Sequence, residues 1–98
     1  MSIEFTQFLM PNGRRQHIEV DRPKEIEQLA HDFIKRGGWF ECEVLSTGHV
    51  SLTACFNTAD GPDDIAIRVI PNGPEVNIAV DELVLEAQRE APSHGRIV

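Results

Sequence analysis

Two glutamates, Glu41 and Glu43, alternate with apolar residues in a segment that has the pattern of a β-strand. Side chains two residues apart on a strand point to the same face, about 7 Å from each other. Paired carboxylates at that separation can perform acid–base hydrolysis of the glycosidase kind if a cleft surrounds them. The alternative is ordinary cross-strand contact with Ser51 and Thr53, which share their predicted face. A small hydrolase using Glu41 and Glu43 is therefore one of three hypotheses.

The other residues with ligand chemistry lack the spacing that known sites use. The four histidines and two cysteines contain no pair at the short spacing of zinc ligands. Asp60, Asp63 and Asp64 cluster in one segment, but without the EF-hand spacing of a calcium loop, and turn formation is the alternative. No nucleophile elbow, P-loop or dinucleotide fingerprint is present. We therefore expect no metal, no cofactor and no catalytic residue, which favours a non-enzymatic protein.

The second predicted helix carries apolar residues on two opposite sides. At 100° per residue, Ile78 and Leu85 project away from its core stripe and are flanked by acidic residues. The outward face of the predicted sheet adds further large apolar side chains, and contiguous exposed apolar residues usually mark an interface. The sequence therefore predicts a partner interface, for self-association or for another protein, made of Ile78, Leu85, Asp81, Glu82, Glu86, Trp39, Leu45, Phe8 and Met10.

Acidic residues are concentrated in one half of the chain. The formal net charge is −7, and residues 37–88 hold nine acids and a single base, Arg68. This half repels phosphate, which argues against direct nucleic-acid binding. It can instead meet a basic protein surface. A second hypothesis is therefore an acidic inhibitor of a host defence or nucleic-acid-binding complex, of the anti-CRISPR or DNA-mimic type.

The pattern of residues 39–56 predicts a β-hairpin at the centre of the chain. Each of the two strands has apolar residues at every second position. These residues lie on one face of the hairpin only if the residue numbers of directly opposite positions add up to an even number. A three-residue loop that ends in a left-handed Gly48 meets that condition and pairs Cys42 with Leu52. Cys42 then faces inward and Cys55 outward, so we expect no disulfide between them.

The remaining segments predict a second hairpin, a fifth strand and two helices. Asn12-Gly13 is a strong signal for a two-residue loop, which pairs Phe5 with Val20. Residues 57–64 read as a polar loop before the fifth strand, and the second helix ends near Glu90. The simplest architecture is α+β, an antiparallel five-stranded sheet with two helices packed on one face, in the order ββ-α-βββ-α.

Length and hydropathy bound the organisation of the chain. Its 98 residues suit one domain, which we place at residues 1–91, with residues 92–98 as a flexible C-terminal tail. No apolar run approaches the roughly 20 residues that span a bilayer, and the N-terminus lacks the pattern of a signal peptide. We therefore expect no membrane association and a cytoplasmic location.

Three blocks of the sequence carry a resemblance to a known group of proteins. They are residues 10–15 (MPNGRR), 40–51 (FECEVLSTGHVS) and 71–83 (PNGPEVNIAVDEL). Together they resemble small proteins of unassigned role that are encoded by bacteriophages and prophages, over about residues 10–87. The resemblance implies a phage or prophage protein in the cytoplasm of a bacterial host cell, and it assigns no active site. Small phage proteins often bind host proteins, so we expect a protein-binding module that self-associates, as a homodimer, or binds a protein partner.

Overall fold

The computed structural model describes residues 2–9 and 14–94. Seven elements follow in the predicted order ββ-α-βββ-α, which confirms the α+β class. The strands are β1 (Ser2–Leu9), β2 (Arg14–Asp21), β3 (Gly38–Val44), β4 (His49–Thr58) and β5 (Gly61–Pro71), and the helices are α1 (Lys24–Lys35) and α2 (Val76–His94).

The five strands form one mixed sheet in the order β2-β1-β3-β4-β5. Three strand pairs are antiparallel, but β1 and β3 are parallel, with Thr6 opposite Glu41. The prediction of a purely antiparallel sheet is therefore wrong. The physical reason is the connection through α1, which carries the chain from β2 past β1 to the second edge of β1. Because β3 starts at the end of the sheet where β2 finishes, it runs in the same direction as β1.

The β1–β2 hairpin keeps its predicted faces but not its predicted register. Phe5 lies opposite Ile18 rather than Val20. A two-residue loop at Asn12-Gly13 would require Pro11 to form the strand pair next to the turn. Proline has no N–H to donate to the hydrogen bonds of that pair, which disfavours this register. Because the displacement is an even number of residues, each side chain stays on its predicted face.

The central hairpin confirms the pairing rule that was derived from its alternation. Cys42 lies opposite Leu52, and the Leu45 N–H donates to the His49 carbonyl over 2.8 Å. Gly48 has a φ of 86°, the left-handed conformation that the loop requires. Both cysteines are free, as expected.

The segment predicted as a polar loop after β4 is instead a tight hairpin. β4 continues to Thr58 and β5 begins at Gly61, whose φ is 109°. The Thr58 hydroxyl donates to the Gly61 carbonyl over 2.8 Å, which closes the turn. Asp63 and Asp64 are therefore neighbours within a strand, and their side chains point to opposite faces.

Both helices pack on one face of the sheet, where they enclose an aromatic core. The Phe33 ring of α1 lies 5.2 Å from the Phe40 ring and 5.5 Å from the Phe56 ring, measured between centroids. Phe5 completes the cluster at 5.3 Å from Phe40. The core stripe predicted for α2 comprises Val76, Ala79, Val80, Leu83, Val84 and Ala87. All are buried except Val76, which is partly buried and packs against the core.

α2 is longer than its pattern indicated. It extends to His94 rather than ending near Glu90, and Ala91 is buried within the added turn. Part of the predicted tail is therefore helical, and residues 95–98 lie outside the described residues. Neither helix in the described part of the chain is long and apolar enough to cross a membrane.

Candidate protein-binding surfaces

The far side of α2 is exposed as its periodicity predicts. The Ile78 side chain is 61% exposed and the Leu85 side chain 47% exposed, whereas the opposite stripe of the same helix is buried. Two large apolar side chains one heptad apart thus face solvent on a helix that does not need them for its own packing.

Two arginines of the same chain pair with the three acidic residues beside Ile78 and Leu85. Arg22 makes two hydrogen bonds of 2.7 Å to the Asp81 carboxylate. On the other flank, Arg68 of β5 contacts Glu86 at 2.5 Å and Glu82 at 3.8 Å. The far side of α2 therefore presents apolar groups between ion pairs that leave one net negative charge, and it is less acidic than the sequence suggested.

The opposite face of the sheet, which we call the outer sheet face, is covered by no element among residues 2–9 and 14–94. Strand alternation and the observed register define its members. Its charged members are six acids and one arginine, in addition to His17 and His49. The whole set is Ser2, Glu4, Thr6, Phe8, Arg15, His17, Glu19, Asp21, Trp39, Glu41, Glu43, His49, Ser51, Thr53, Cys55, Asn57, Pro62, Asp64, Ile67, Val69 and Pro71.

Trp39 organises the centre of the outer sheet face. Its indole N–H donates to a Glu41 carboxylate oxygen over 2.7 Å, and its strand partner is Cys55. The Cys55 thiol is buried although it points to the outer sheet face, and it donates to Asp64 over 3.4 Å. Burial, followed by the nearby Glu41 carboxylate, raises the pKa of Cys55 far above its usual range. The thiol is therefore a neutral packing group beneath the indole.

The remaining predicted site residues lie at one end of the sheet. Phe8 is half-buried, with the Arg15 guanidinium 5.1 Å from its ring centroid. Leu45 is half-buried and lines a shallow surface depression together with Glu43 and the loop that follows. Met10 lies outside the described residues. The predicted interface residues thus form two separate surfaces on opposite sides of the molecule.

Sequence reasoning missed two apolar members of the outer sheet face. Ile67 and Val69 of β5 are 51% and 54% exposed. The alternation of residues 65–70 could have identified them. Arg68 lies between them and points to the helix-bearing face, where it reaches the acids of α2, so its two neighbours point to the outer sheet face. The sequence predicted the fifth strand, but none of its residues was assigned to an interface.

The two candidate hydrolytic carboxylates differ in their surroundings. Glu41 is held by the indole of Trp39, while Glu43 lies at the rim of the depression beside Leu45. Within the described residues, no three potential metal ligands come together. The hydrolase hypothesis stays a prediction from the spacing of these two residues.

An apolar groove lies on the helix-bearing face, at the end of the sheet that the helices do not reach. It has a volume of about 180 Å³, and Val44 on its wall is 48% exposed. Its other apolar walls come from four strands and the first turns of α2, and are Phe5, Ile18, Val20, Cys42, Val50, Leu52, Val76 and Val80.

Comparison with known proteins adds no relative to this description. No family model, no curated protein and no solved structure matches the chain.

Proposed function

We propose that this chain is a protein-binding module whose outer sheet face binds a basic, partly apolar surface of another protein. The observation that carries the proposal is the composition of that face. It combines six carboxylates and one arginine with four large apolar side chains, Phe8, Trp39, Ile67 and Val69, and the described part of the chain leaves it uncovered.

The charge of the outer sheet face supports a basic partner. The face holds a formal charge of −5 out of the −7 of the whole chain, with histidine neutral. Clustered charge of one sign steers an oppositely charged partner and selects against like-charged ones. Two copies packed face to face would bring the central Glu41 and Glu43 of each copy close together, which disfavours self-association through this face.

The apolar side chains supply a contact of useful strength. Ile67 and Val69 are about half exposed, so burying each would contribute about 1 kcal/mol. Large aromatic and apolar groups at the centre of a charged surface are typical of interfaces whose affinity comes from burial and whose specificity comes from charge.

The acidic-inhibitor hypothesis is a narrower form of this proposal, in which the basic surface is the nucleic-acid site of a host complex. The paired state of Asp81, Glu82 and Glu86 favours the outer sheet face over α2 as the acidic surface. The phage or prophage origin and the bacterial cytoplasm stay predictions from the resemblance of the sequence.

A capture experiment tests the proposal. The immobilised protein is incubated with bacterial lysate at about 50 mM and about 500 mM salt, because salt weakens contacts between exposed charges. Two variants alter the face: Glu43→Lys reverses one of its charges, and Ile67→Thr/Val69→Thr removes apolar groups while keeping β-branched residues. Glu25→Lys, an exposed position on α1, is the matched control.

We expect a basic protein that is retained by the wild type and by Glu25→Lys, is released at the higher salt, and is lost from both outer-face variants. Capture that is the same for all four proteins would be non-specific and would contradict the proposal. Loss of capture from Glu25→Lys alone would place the binding surface on the helices instead.

A further inference from the structure

We propose that two copies of this chain associate through the far side of α2, as an antiparallel helix pair related by a two-fold axis. The evidence is a seam of five exposed residues at alternating spacings of three and four, namely Glu75, Ile78, Glu82, Leu85 and Arg89. This spacing is the a/d repeat of helices that pack in pairs. The proposal is independent of the partner of the outer sheet face.

The antiparallel arrangement follows from the order of residues in the seam. Around an axis that passes close to Glu82, Ile78 of one copy lies within one residue of the level of Leu85 of the second copy, so that the two side chains meet, and the reverse contact repeats it. The side chains of Ile78 and Leu85 are 61% and 47% exposed in the single chain. In this register each of them is buried against the second copy. A parallel pair would stack Ile78 on Ile78, but it would also stack Glu75 on Glu75 and Arg89 on Arg89.

The ends of the seam are complementary in charge only in the antiparallel register. Glu75 lies opposite Arg89 of the second copy at both ends of the contact, and both residues are exposed. Opposite charges at the flanks of a helix pair specify its orientation. This complementarity identifies a second copy of the chain, rather than an unrelated helix, as the occupant of the seam.

The centre of the seam holds the one unfavourable pair. Glu82 meets Glu82 of the second copy across the axis, although the guanidinium of Arg68 lies 3.8 Å from each carboxylate within its own chain. The single like-charged pair and the small contact area of two helices predict a weak dimer, with a dissociation constant of about 100 µM.

The association leaves both outer sheet faces exposed at opposite ends of the dimer, because each helix layer turns inward. A dimer of this kind presents two identical binding faces that point away from each other. It can therefore bridge two partner molecules, and avidity follows when both are attached to one assembly.

Sedimentation equilibrium over about 10 µM to about 1 mM protein tests the proposal. Glu75→Arg alone and Arg89→Glu alone should each weaken dimerisation about tenfold, because each creates two like-charged contacts. The double variant Glu75→Arg/Arg89→Glu should restore the wild-type dissociation constant. Glu82→Leu should tighten the dimer about tenfold, since it replaces the repulsive central pair by an apolar one.

Controls separate folding from association. Leu85→Lys should be monomeric over the whole range with an unchanged circular dichroism spectrum. Ile34→Lys, the same kind of change on the exposed side of α1, should dimerise like the wild type. A wild type that is monomeric at 1 mM, or a double variant no tighter than its weaker parent, would overturn the proposal. Either result leaves the capture experiment on the outer sheet face unaffected.

Discussion

Arg22 and Asp81 are 59 residues apart in sequence and form two parallel hydrogen bonds of 2.7 Å each. Their side chains are 18% and 28% exposed, so solvent screens the pair only in part. Arg22 follows directly on β2, an edge strand whose strand partner is β1. The pair therefore ties the outermost strand to α2.

Asp81→Asn should lower the free energy of unfolding by about 1–2 kcal/mol, because it leaves a half-buried guanidinium without its charged acceptor. Arg22→Ala should cost a similar amount, and the double variant should cost less than the sum of the two. Urea denaturation measures all three. Glu25→Gln, an exposed carboxylate on α1, is the control and should stay within about 0.5 kcal/mol of the wild type. An Asp81→Asn variant as stable as that control would contradict the assigned role.

Gly38 makes the closest backbone approach to the core. A Cβ at this position would overlap the Phe33 ring, which is itself held between the rings of Phe40 and Phe56. Gly38→Ala should therefore destabilise the protein by about 1–3 kcal/mol through overpacking. Gly73→Ala is the matched control, because a Cβ there meets open space. Thermal unfolding of both variants should show a lower midpoint for Gly38→Ala alone, and equal midpoints would refute the overlap.

Both cysteines should be unreactive in the folded protein. Burial raises the pKa of Cys42 from 9.0 to about 11, and burial with neighbouring carboxylates raises the pKa of Cys55 still more. Ellman's reagent at pH 8 should label neither thiol in buffer and both in denaturant. Stoichiometric labelling of the native protein would show that the thiols are accessible.

The same shifts predict how stability depends on pH. A thiol whose pKa is raised by folding keeps its full contribution below the unfolded pKa of about 9 and loses it as the pH rises through the folded value. The free energy of unfolding should therefore decline between about pH 9 and pH 11. Cys42→Ala should show a shallower decline over this interval, and an identical slope would argue against Cys42 as its source.

Local patterns predicted the elements and their faces well, and long-range relations poorly. The register of the central hairpin was predicted correctly because two local features agree on it. The apolar residues of both strands must share a face, and Gly48 fits the left-handed position of a three-residue loop. The parallel pairing of β1 with β3 has no local signal, since it depends on where α1 delivers the chain. The β1–β2 register failed because the Asn-Gly signal was given more weight than the missing N–H of Pro11.

On the far side of α2, the sequence predicted which apolar side chains are exposed but not which acidic side chains are paired. The helical period places Ile78 and Leu85 outward, as found. The arginines that pair with the acids of α2 come from distant segments, and only the fold brings Arg22 and Arg68 beside them. Net charge along the sequence therefore pointed to α2 as an acidic surface, whereas the closed ion pairs leave that role to the outer sheet face.

The central claim is that the outer sheet face is the surface that binds a basic partner. Methyl NMR of the labelled protein, titrated with the basic protein recovered in the capture experiment, tests it most directly. We predict chemical-shift changes at the methyl groups of Ile67 and Val69 that vanish in Glu43→Lys, with the methyl groups of Ile34 unperturbed. Changes confined to α1 and α2, with Ile67 and Val69 unmoved at saturation, would contradict the claim.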